Sequence, residues 1–383
     1  MRRVVIAGAG LTKVGDHWDK SILDLALDAA TAALKDAGIA TPDQIIIGNM
    51  FSGFSSSQEN LAAIVADALR LWGVPAFKVE SSGASGSMAL HVANSLVRSG
   101  QANSVLVIGV EKMRDLEPSD AARATSLGES SEYVQFFGIT QTALGALISQ
   151  LYMQEYEVTR DELSCFSVIA HKNAITAEHA QFRKAVSIAD VSRSMLVSDP
   201  LRLLDCAPVG DGAAAVVLSN NDDLIKEPAI EIAASATSTD FVNFYQRDDM
   251  FEFKATRGAV AKALSIAGIS FRDIDFAEIN DSYSAVAALS VEALGLSKRG
   301  EGARDAKDGK YDMKGKVPIS TFGGLKGRGN PVGATGIYQI VEAYHQLIGK
   351  AEANQVVDAK TGLTHNMGGI DSSAVVHILR RAR

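Results

Sequence analysis

Two glycine-rich turns, each followed by a helical segment, carry the residues of greatest chemical interest. The first turn contains Gly83 and leads into a helix after Gly86, and the second covers 329–336, with Asn330 near its start. A backbone N–H at the start of a helix can donate a hydrogen bond to an anionic oxygen. The Asn330 amide can also donate, but it is no base near neutral pH, and Gly83 offers no nucleophile. The two turns therefore offer hydrogen-bond donors to an anionic oxygen.

Two further polar blocks lie in the second half of the chain. Asn280 and Tyr283 belong to the segment 278–283, and His365 stands three residues before the glycine pair 368–369. An amide can donate to an oxyanion, and a phenol or an imidazole can act as an acid, a base or a donor. No histidine is spaced from another as a metal pair would be, so we expect no metal site.

The acidic balance and the low cysteine count exclude several classes of protein. The 383 residues carry a formal net charge of −8, whereas a nucleic-acid-binding protein needs a dense basic surface. Only two cysteines, Cys165 and Cys206, occur, so we expect no disulfide framework and a reducing cytoplasm. The sequence has neither a leader pattern nor a run of about 18 apolar residues. We therefore predict neither a signal peptide nor a membrane span.

The chain repeats one pattern of helix, turn and strand. The helix end at Gly38 matches that at Gly268, and each is followed by an acidic turn and an apolar strand. The sequence Gly-Ala-Ser-Gly at 83–86 matches Gly-Ala-Thr-Gly at 333–336, and each leads into a helix, an Ala-Asn pair and an apolar stretch. Matches in the same order at nearly constant spacing predict two related α/β halves.

The repeat predicts the boundaries of the two halves. The N-terminal half covers 1–222 and the C-terminal half covers 223–383. The first half is longer, and its excess at about 114–197 is predicted to be an inserted loop domain that folds over that half. Strands that alternate with helices predict mostly parallel sheets covered on both faces.

The two glycine-rich turns resemble segments of the thiolase superfamily. The stretch 79–86 is similar to V-E-A-A-C-A-S-G, which carries the nucleophilic cysteine of thiolases, and Gly83 stands at the cysteine position. The stretch 329–336 is similar to G-H-P-x-G-A-T-G, and Asn330 stands at the position of the catalytic histidine.

The remaining motifs extend the resemblance over the whole chain. The segment 278–283 is similar to E-x-[HN]-[DE]-x-F, and 364–369 is similar to the H-N-x-G-G segment of archaeal and sterol-carrier-type thiolases. Because these motifs follow the family's order, the chain is identified as a thiolase-like member of that superfamily. The resemblance implies an α/β thiolase fold, with duplicated halves in five layers (α-β-α-β-α).

The resemblance also implies that the covalent chemistry of thiolases is missing. A thiolase needs a cysteine nucleophile, a histidine that takes its proton, and an oxyanion hole. Gly83 and Asn330 replace the first two groups, whereas Asn280 and the Gly83 N–H remain as donors. Cys165 and Cys206 are expected to be small buried side chains. Serines beside Gly83 have no histidine that the sequence places next to them.

His365 and the tyrosines leave two interpretations open. His365 either fixes the loop at 368–369 or acts as an acid, base or donor in the pocket. Tyr283 takes the usual Phe place of its motif, so it either packs or acts as an acid or donor. Convergence of Tyr245, Tyr283, Tyr338 and His365 beside Gly83 would favour an enzyme. Scatter of the four would favour a scaffold.

A CoA thioester is the ligand that the resemblance implies, as a substrate rather than a permanently bound cofactor. Lys326 and Arg328 are predicted to hold CoA phosphates, unless they form a solvated face. Glycines of the two C-terminal motifs are also predicted to contact CoA, namely Gly329, Gly333, Gly336, Gly368 and Gly369.

Two functions are compatible with the sequence. The first is an acyltransferase-family enzyme that acts on a carbon–carbon bond next to a CoA thioester without an acyl-enzyme, as in aldol or retro-aldol chemistry. That chemistry needs an acid or base for a β-hydroxyl and a stabiliser for the enolate, but no nucleophile. The second is a catalytically silent thiolase-like subunit that binds acyl-CoA or scaffolds a complex.

The resemblance implies protein partners as well. Archaeal-type thiolases suggest a small zinc-ribbon/OB-fold partner protein that completes the CoA site. Thiolase-type halves suggest a homodimer or a dimer of dimers, and the apolar run Val105–Val110 is predicted to be an edge strand that a second copy covers.

Overall fold

Apolar side chains alternate along the strands, and this period distributes them to both faces of one large sheet. In the computed structural model, which describes residues 2–382, Ile45 and Ile47 pack on one face and Ile46 packs on the other. Leu106 and its neighbour Val107 divide between the two faces in the same way. Both faces of the sheet therefore need a layer of helices.

Nine strands form this sheet, in the order β3-β2-β4-β7-β1-β8-β11-β10-β9, and two short strands pair separately. The strands are β1 (Val5–Leu11), β2 (Gln44–Gly48), β3 (Ala76–Val79), β4 (Ser104–Glu111), β5 (Leu196–Ser198), β6 (Leu201–Arg202), β7 (Gly212–Ser219), β8 (Ile230–Thr239), β9 (Phe276–Glu278), β10 (Thr361–Gly368) and β11 (Ser373–Arg381).

The helices pack on the faces of the sheet and on one another. They are α1 (Ile22–Ala37), α2 (Ser52–Ser55), α3 (Leu61–Ala68), α4 (Ser85–Ser99), α5 (Pro118–Ser126), α6 (Gln141–Tyr156), α7 (Arg160–Ala174), α8 (Ile188–Arg193), α9 (Lys254–Ala267), α10 (Ser284–Ala293), α11 (Gly302–Lys307), α12 (Gly324–Gly327) and α13 (Thr335–Ile348).

The N-terminal and C-terminal strands, which meet at the Val5–Glu231 pair between β1 and β8, form two β layers, and three hydrophobic cores arrange these layers and the helices in five layers. One core joins α1 and α3 to the outer face of the N-terminal strands. A second core contains α4 and α13, which lie between the N-terminal and C-terminal strands. The third core joins α9 and α10 to the outer face of the C-terminal strands. The order α-β-α-β-α is the one expected for a thiolase fold.

The sheet is mixed rather than mostly parallel, so this part of the prediction is wrong. Strand β2 is parallel to β3 and β4, and β9 is parallel to β10. Strands β7 and β11 are antiparallel to both of their main neighbours. In the case of β11, the turn 369–372 is too short for the crossover that a parallel neighbour requires.

Two predictions about individual segments are also wrong. The run Val105–Val110 forms the central strand β4, flanked by β2 and β7, and its apolar character reflects burial on both faces. The edge strands are β3 and β9. The predicted insertion at 114–197 does not fold mainly over the first half, because α6 and α7 share a core with α10 and α11 of the second half.

None of the helices in residues 2–382 combines the length and the apolar composition needed to cross a lipid bilayer. The same part of the chain holds no group of three or more His, Cys, Asp or Glu side chains placed to bind a metal ion.

The first turns of α4 and α13 touch through backbone atoms, and glycines allow this approach. A Cβ on Gly86 would lie 2.7 Å from the Gly333 carbonyl oxygen, and a Cβ on Gly336 would collide with the Ser87 hydroxyl. Since the two helices belong to different halves, this contact fixes the two glycine-rich turns side by side.

We expect Gly86→Ala to destabilise the protein by about 1–3 kcal/mol, because overpacking against backbone cannot relax as a side chain can. Gly15→Ala is the matched control, since a Cβ at Gly15 would meet nothing within 4 Å. Urea unfolding of the two variants measures the difference. Equal midpoints for Gly86→Ala, Gly15→Ala and the wild type would contradict the close approach.

Candidate functional site

Loops from both halves meet at one small pocket, the inner pocket, with a volume of about 40 Å³. Its wall includes Gly83 before α4, Asn280 after β9, Asn330 before α13, and Gly369 after β10. The structure therefore brings together one residue from each of the four motifs.

A larger outer cavity of about 520 Å³ adjoins the inner pocket. Thr125, Gln141, Ser282 and Asn330 line both, so the two spaces share a wall. Tyr283 lines only the outer cavity, as do Cys206, Trp18 and Arg114. The outer cavity thus offers a route by which a long ligand can reach the inner pocket.

Three asparagines line the inner pocket. The Asn280 Oδ1 accepts a hydrogen bond from the Ser282 N–H at 3.2 Å, and the Asn330 Oδ1 accepts one from the Thr335 hydroxyl at 2.8 Å. Asn366 is fully buried, and neither of its amide atoms has a partner among residues 2–382. The pocket wall therefore supplies three amides whose NH₂ groups can donate to a ligand oxygen.

Asn366 was not among the predicted site residues. Its signal in the sequence was a place in the motif that carries His365, but the motif alone did not single out the amide. A buried side-chain amide without partners costs free energy, so it points to a ligand or an ordered water in the pocket.

Gly83 marks a position where a cysteine side chain no longer fits freely. A Cβ there would lie 2.9 Å from the Met367 carbonyl oxygen, which is closer than real Cβ atoms come to such neighbours. Because that neighbour is backbone, a side chain at 83 requires the end of β10 to move. The Gly83 N–H, which precedes α4, stays a predicted donor.

His365 does not reach the pocket, and its predicted place among the catalytic groups is corrected. It lies fully buried on β10, with Nε2 at 2.8 Å from the Thr256 hydroxyl and Nδ1 accepting from the Asn280 N–H at 3.4 Å. Burial lowers the pKa of His365 to about 3, so the ring is neutral near pH 7. It contacts the backbone of Asn280 and lines neither the inner pocket nor the outer cavity.

The three tyrosines and His365 do not converge. Tyr283 lines the outer cavity, where its hydroxyl lies 3.2 Å from Thr142 Oγ1, and burial raises the pKa of the phenol. Tyr338 is buried against Thr12, with its hydroxyl donating to the Thr12 carbonyl at 2.9 Å. Tyr245 is 49% exposed and lines neither cavity. This scatter removes one of the arguments for an enzyme.

The predicted phosphate ligands Lys326 and Arg328 are both buried, so neither can hold CoA phosphates in this conformation. The Lys326 ammonium donates to the Asp205 carbonyl oxygen. Arg328 Nε lies 3.6 Å from Glu342 Oε1, and its guanidinium stacks on the Tyr338 ring. The two cations compensate buried carboxylates beneath the site.

The predicted CoA-binding glycines have mainly a packing role. Only Gly369 lines the inner pocket. A Cβ on Gly368 would lie 2.7 Å from the Ser81 carbonyl oxygen, and one on Gly329 would meet Val14 at 2.6 Å. Gly333 and Gly336 lie in the contact between α4 and α13. These positions disfavour larger residues because backbone or side-chain atoms lie within 3 Å of where a Cβ would stand.

No titratable side chain lines the inner pocket in the described part of the chain. Ser82 lines it, but the one contact of its hydroxyl is the Met50 sulfur at 3.8 Å, which is no base. Burial raises the pKa of Cys206 to about 11, and Cys165 is buried in α7. The inner pocket can therefore bind and polarise an oxygen, while proton transfer must come from beyond its wall.

The chain matches two domain families along its length. Residues 4–222 match the family described as thiolase, N-terminal domain, and residues 236–381 match that described as thiolase C-terminal domain-like. The chain is 39% identical to a protein named acetyl-CoA acetyltransferase from Methanothermobacter thermautotrophicus, over 100% of both chains. It is 30% identical to sterol carrier protein 2 from Bos taurus, over 99% of this chain and 72% of that protein.

The solved structure named Ltp2-ChsH2(DUF35) aldolase superposes with a TM-score of 0.85 at 24% identity, over 100% of this chain and 98% of that chain. The N-terminal family covers more than half of the sequence, and the acetyl-CoA acetyltransferase matches it from end to end. The chain belongs to the thiolase superfamily.

Proposed function

We propose that this protein acts on a carbon–carbon bond next to a CoA thioester, without forming an acyl-enzyme. The observation that carries the proposal is the set of three amides, Asn280, Asn330 and Asn366, around a pocket that has glycine at the nucleophile position. Oriented donors stabilise negative charge that develops on a thioester oxygen, and they do so without a covalent bond to the substrate.

The sizes of the two spaces suggest how a substrate divides between them. A single water needs about 10–15 Å³ of such volume, so 40 Å³ has room for roughly three groups of that size. A thioester carbonyl with a short acyl chain fits this limit. The pantetheine arm and the second fragment would lie in the outer cavity, whose volume is about 520 Å³.

Retro-aldol cleavage is the reaction that this site suits best. The β-hydroxyl of a 3-hydroxyacyl-CoA loses its proton, its O–H electrons form a carbonyl, and the Cα–Cβ bond breaks. The electron pair of that bond passes to the thioester enolate, whose oxygen the amides hold. Protonation of Cα then gives a shorter acyl-CoA and a ketone or aldehyde. The name of the aldolase with the same fold is consistent with this chemistry.

A second candidate function is a silent subunit that binds acyl-CoA or scaffolds a complex. The observation in its favour is that His365, Tyr245 and Tyr338 do not reach the pocket, whose wall has no titratable side chain. This candidate predicts binding of CoA thioesters without any turnover.

The proposed function also involves other protein chains. We infer that a small zinc-ribbon/OB-fold protein completes the CoA site, because the predicted phosphate ligands Lys326 and Arg328 are buried. The similar aldolase structure is named as a complex with a DUF35 protein. We also infer a homodimer or a dimer of dimers.

We expect light scattering to give at least twice the chain mass of 40.4 kDa at micromolar concentration, because the edge strand β3, which pairs only with β2 among the described strands, leaves unpaired backbone groups. A particle with the mass of one chain that persists at every concentration would contradict the oligomer.

Gly83→Cys alone is expected to give no efficient thiolysis of acetoacetyl-CoA. Its Cβ would crowd the Met367 carbonyl oxygen, and Asn330 supplies no base, although acid–base catalysis is typically worth roughly 10²–10⁴-fold. Gly83→Cys with Asn330→His should exceed the product of the single effects. The assay measures release of acetyl-CoA. In a companion measurement, the wild-type protein is incubated with acetyl-CoA and its intact mass is determined. An adduct of acyl mass on wild-type Cys165, Cys206 or Ser82 would refute the non-covalent mechanism.

Asn366→Ala is expected to slow retro-aldol cleavage of a 3-hydroxyacyl-CoA by about 10²–10³-fold, the usual cost of one oxyanion donor. Asn94→Ala is the matched control, since that amide is buried on α4 and accepts a hydrogen bond from Arg98 instead of lining the pocket. Product formation is followed by mass spectrometry. Equal rates in the two variants would remove Asn366 from the site.

A further inference from the structure

We propose that Glu129 is the acid–base residue that serves the inner pocket, taking the proton from the β-hydroxyl and returning it to Cα. This inference rests on the proposed carbon–carbon bond chemistry and supplies the proton transfer that the pocket wall lacks. Glu129 belongs to the predicted insertion, so the inference also gives that segment a part in the reaction.

The carboxyl of Glu129 lies directly behind a glycine of the pocket wall. A Cβ on Gly369 would lie 3.0 Å from Glu129 Oε1, and Gly369 itself lines the inner pocket. A larger residue at 369 would crowd this carboxyl oxygen, so glycine allows the carboxyl to pack directly against the pocket wall.

The side chain of Gln141 forms a hydrogen bond with the Glu129 carboxyl, but one oxygen of that carboxyl has no partner in the described part of the chain. Glu129 is buried, and its Oε1 has no hydrogen-bond partner among residues 2–382. The backbone of Glu129 is held instead, because its N–H donates to the Ser126 carbonyl at 3.0 Å and Gln135 Nε2 donates to its carbonyl at 2.8 Å. The backbone of Glu129 is thus anchored, while its buried Oε1 is an acidic oxygen without a hydrogen-bond partner among the described residues.

The charges around Glu129 suit proton exchange near neutral pH. Burial raises the pKa of Glu129 to about 7, against the opposing effects of the neighbouring Gln141 and Arg247. The positive charge of Arg247 is shared among several carboxyl groups. Its Nε lies 3.2 Å from Asp240, and it also interacts with Asp371. Burial raises the pKa of Asp371 to about 7. Tyr283 also faces Glu129. A general base works best with a pKa close to the working pH.

The competing groups are less suited to this step. The His365 ring is neutral and buried behind Asn280. Burial raises the pKa of both Tyr283 and Cys206, so each is a weak acid and is not ionised near pH 7.

The proton that leaves the β-hydroxyl is the one that is returned to Cα. The Glu129 carboxylate accepts the β-hydroxyl proton through one water, and becomes a carboxylic acid as the Cα–Cβ bond breaks. The acid then gives its proton to Cα of the enolate, which restores the carboxylate and yields the acyl-CoA. The same group can take and return an α-proton of acetyl-CoA without any second substrate.

Exchange of the acetyl-CoA α-protons in D₂O tests this role, because it needs no knowledge of the carbonyl fragment. Mass spectrometry of recovered acetyl-CoA should show enzyme-dependent deuteration, and Glu129→Gln should slow it by about 10²–10⁴-fold. Glu292→Gln is the matched control: that half-buried glutamate accepts hydrogen bonds from Tyr152 and from the Gly302 N–H, and it lines neither the inner pocket nor the outer cavity. Its exchange rate should equal that of the wild type.

The pH profile of exchange by the wild type is a test that does not depend on the folding of any variant. Exchange should rise with pH as the carboxyl ionises, with a midpoint near 7, and then level off. A midpoint near 10 or above would assign the step to Tyr283 or Cys206 and overturn the proposal.

Calorimetric titration with acetyl-CoA separates the possible failures. Equal exchange in Glu129→Gln and the wild type would overturn the role of Glu129 while leaving the carbon–carbon bond chemistry in place. Binding without exchange in the wild type would overturn the role of Glu129 and support the silent subunit. Absence of acetyl-CoA binding by the wild type would overturn the proposed function, and this inference with it.

Discussion

The backbone contact between the first turns of α4 and α13 is the constraint on which the site depends. Gly86 of one helix approaches the Gly333 carbonyl before the other, and no side chain can enter between them. Each turn belongs to a different half of the fold, so the contact brings Gly83 and Asn330 to the same pocket. Loss of this approach would separate the halves of the site before it affected either half alone.

The wall of the inner pocket and the residues behind that wall carry different kinds of chemical group. The wall of the inner pocket carries amides but no titratable group, so it can polarise an oxygen in a nearly neutral surrounding. Ionisable groups lie beyond that wall, where burial shifts the pKa of Glu129 toward neutrality and that of His365 far below it. Thiolase chemistry places a thiol and an imidazole in contact with the substrate. Here the acid lies one glycine away.

The fold could be predicted from the sequence because its evidence is periodic and repeated. Alternating strands, glycine-closed helices and the duplicated Gly-Ala-[Ser/Thr]-Gly turns indicate two halves and five layers. The direction of the strands was predicted less well. Whether two neighbouring strands run parallel or antiparallel depends on connections such as the turn 369–372, and the periodicity of apolar residues gives no information about these connections. The run Val105–Val110 illustrates the same limit, because an edge strand and a central strand can both be apolar.

The site was predicted in part. Gly83, Asn280 and Asn330 line the inner pocket where their motifs place them, but His365, Lys326 and Arg328 are buried behind it. A motif indicates that a residue is near the site, while only packing determines whether its polar atoms face the ligand or a buried partner. Asn366 and Glu129 were not predicted as site residues. Each has a buried polar atom without a hydrogen-bond partner within residues 2–382, and this can be recognised only in the three-dimensional structure.

The carbonyl stretching frequency of bound [1-¹³C]acetyl-CoA tests the central claim most directly. Three amide donors around the thioester oxygen predict that infrared difference spectra show this band at lower frequency in the complex than in water, with a smaller shift in Asn366→Ala. The thioester should be recovered intact after release. A band at its solution frequency in the wild-type complex, with acetyl-CoA bound, would contradict the account.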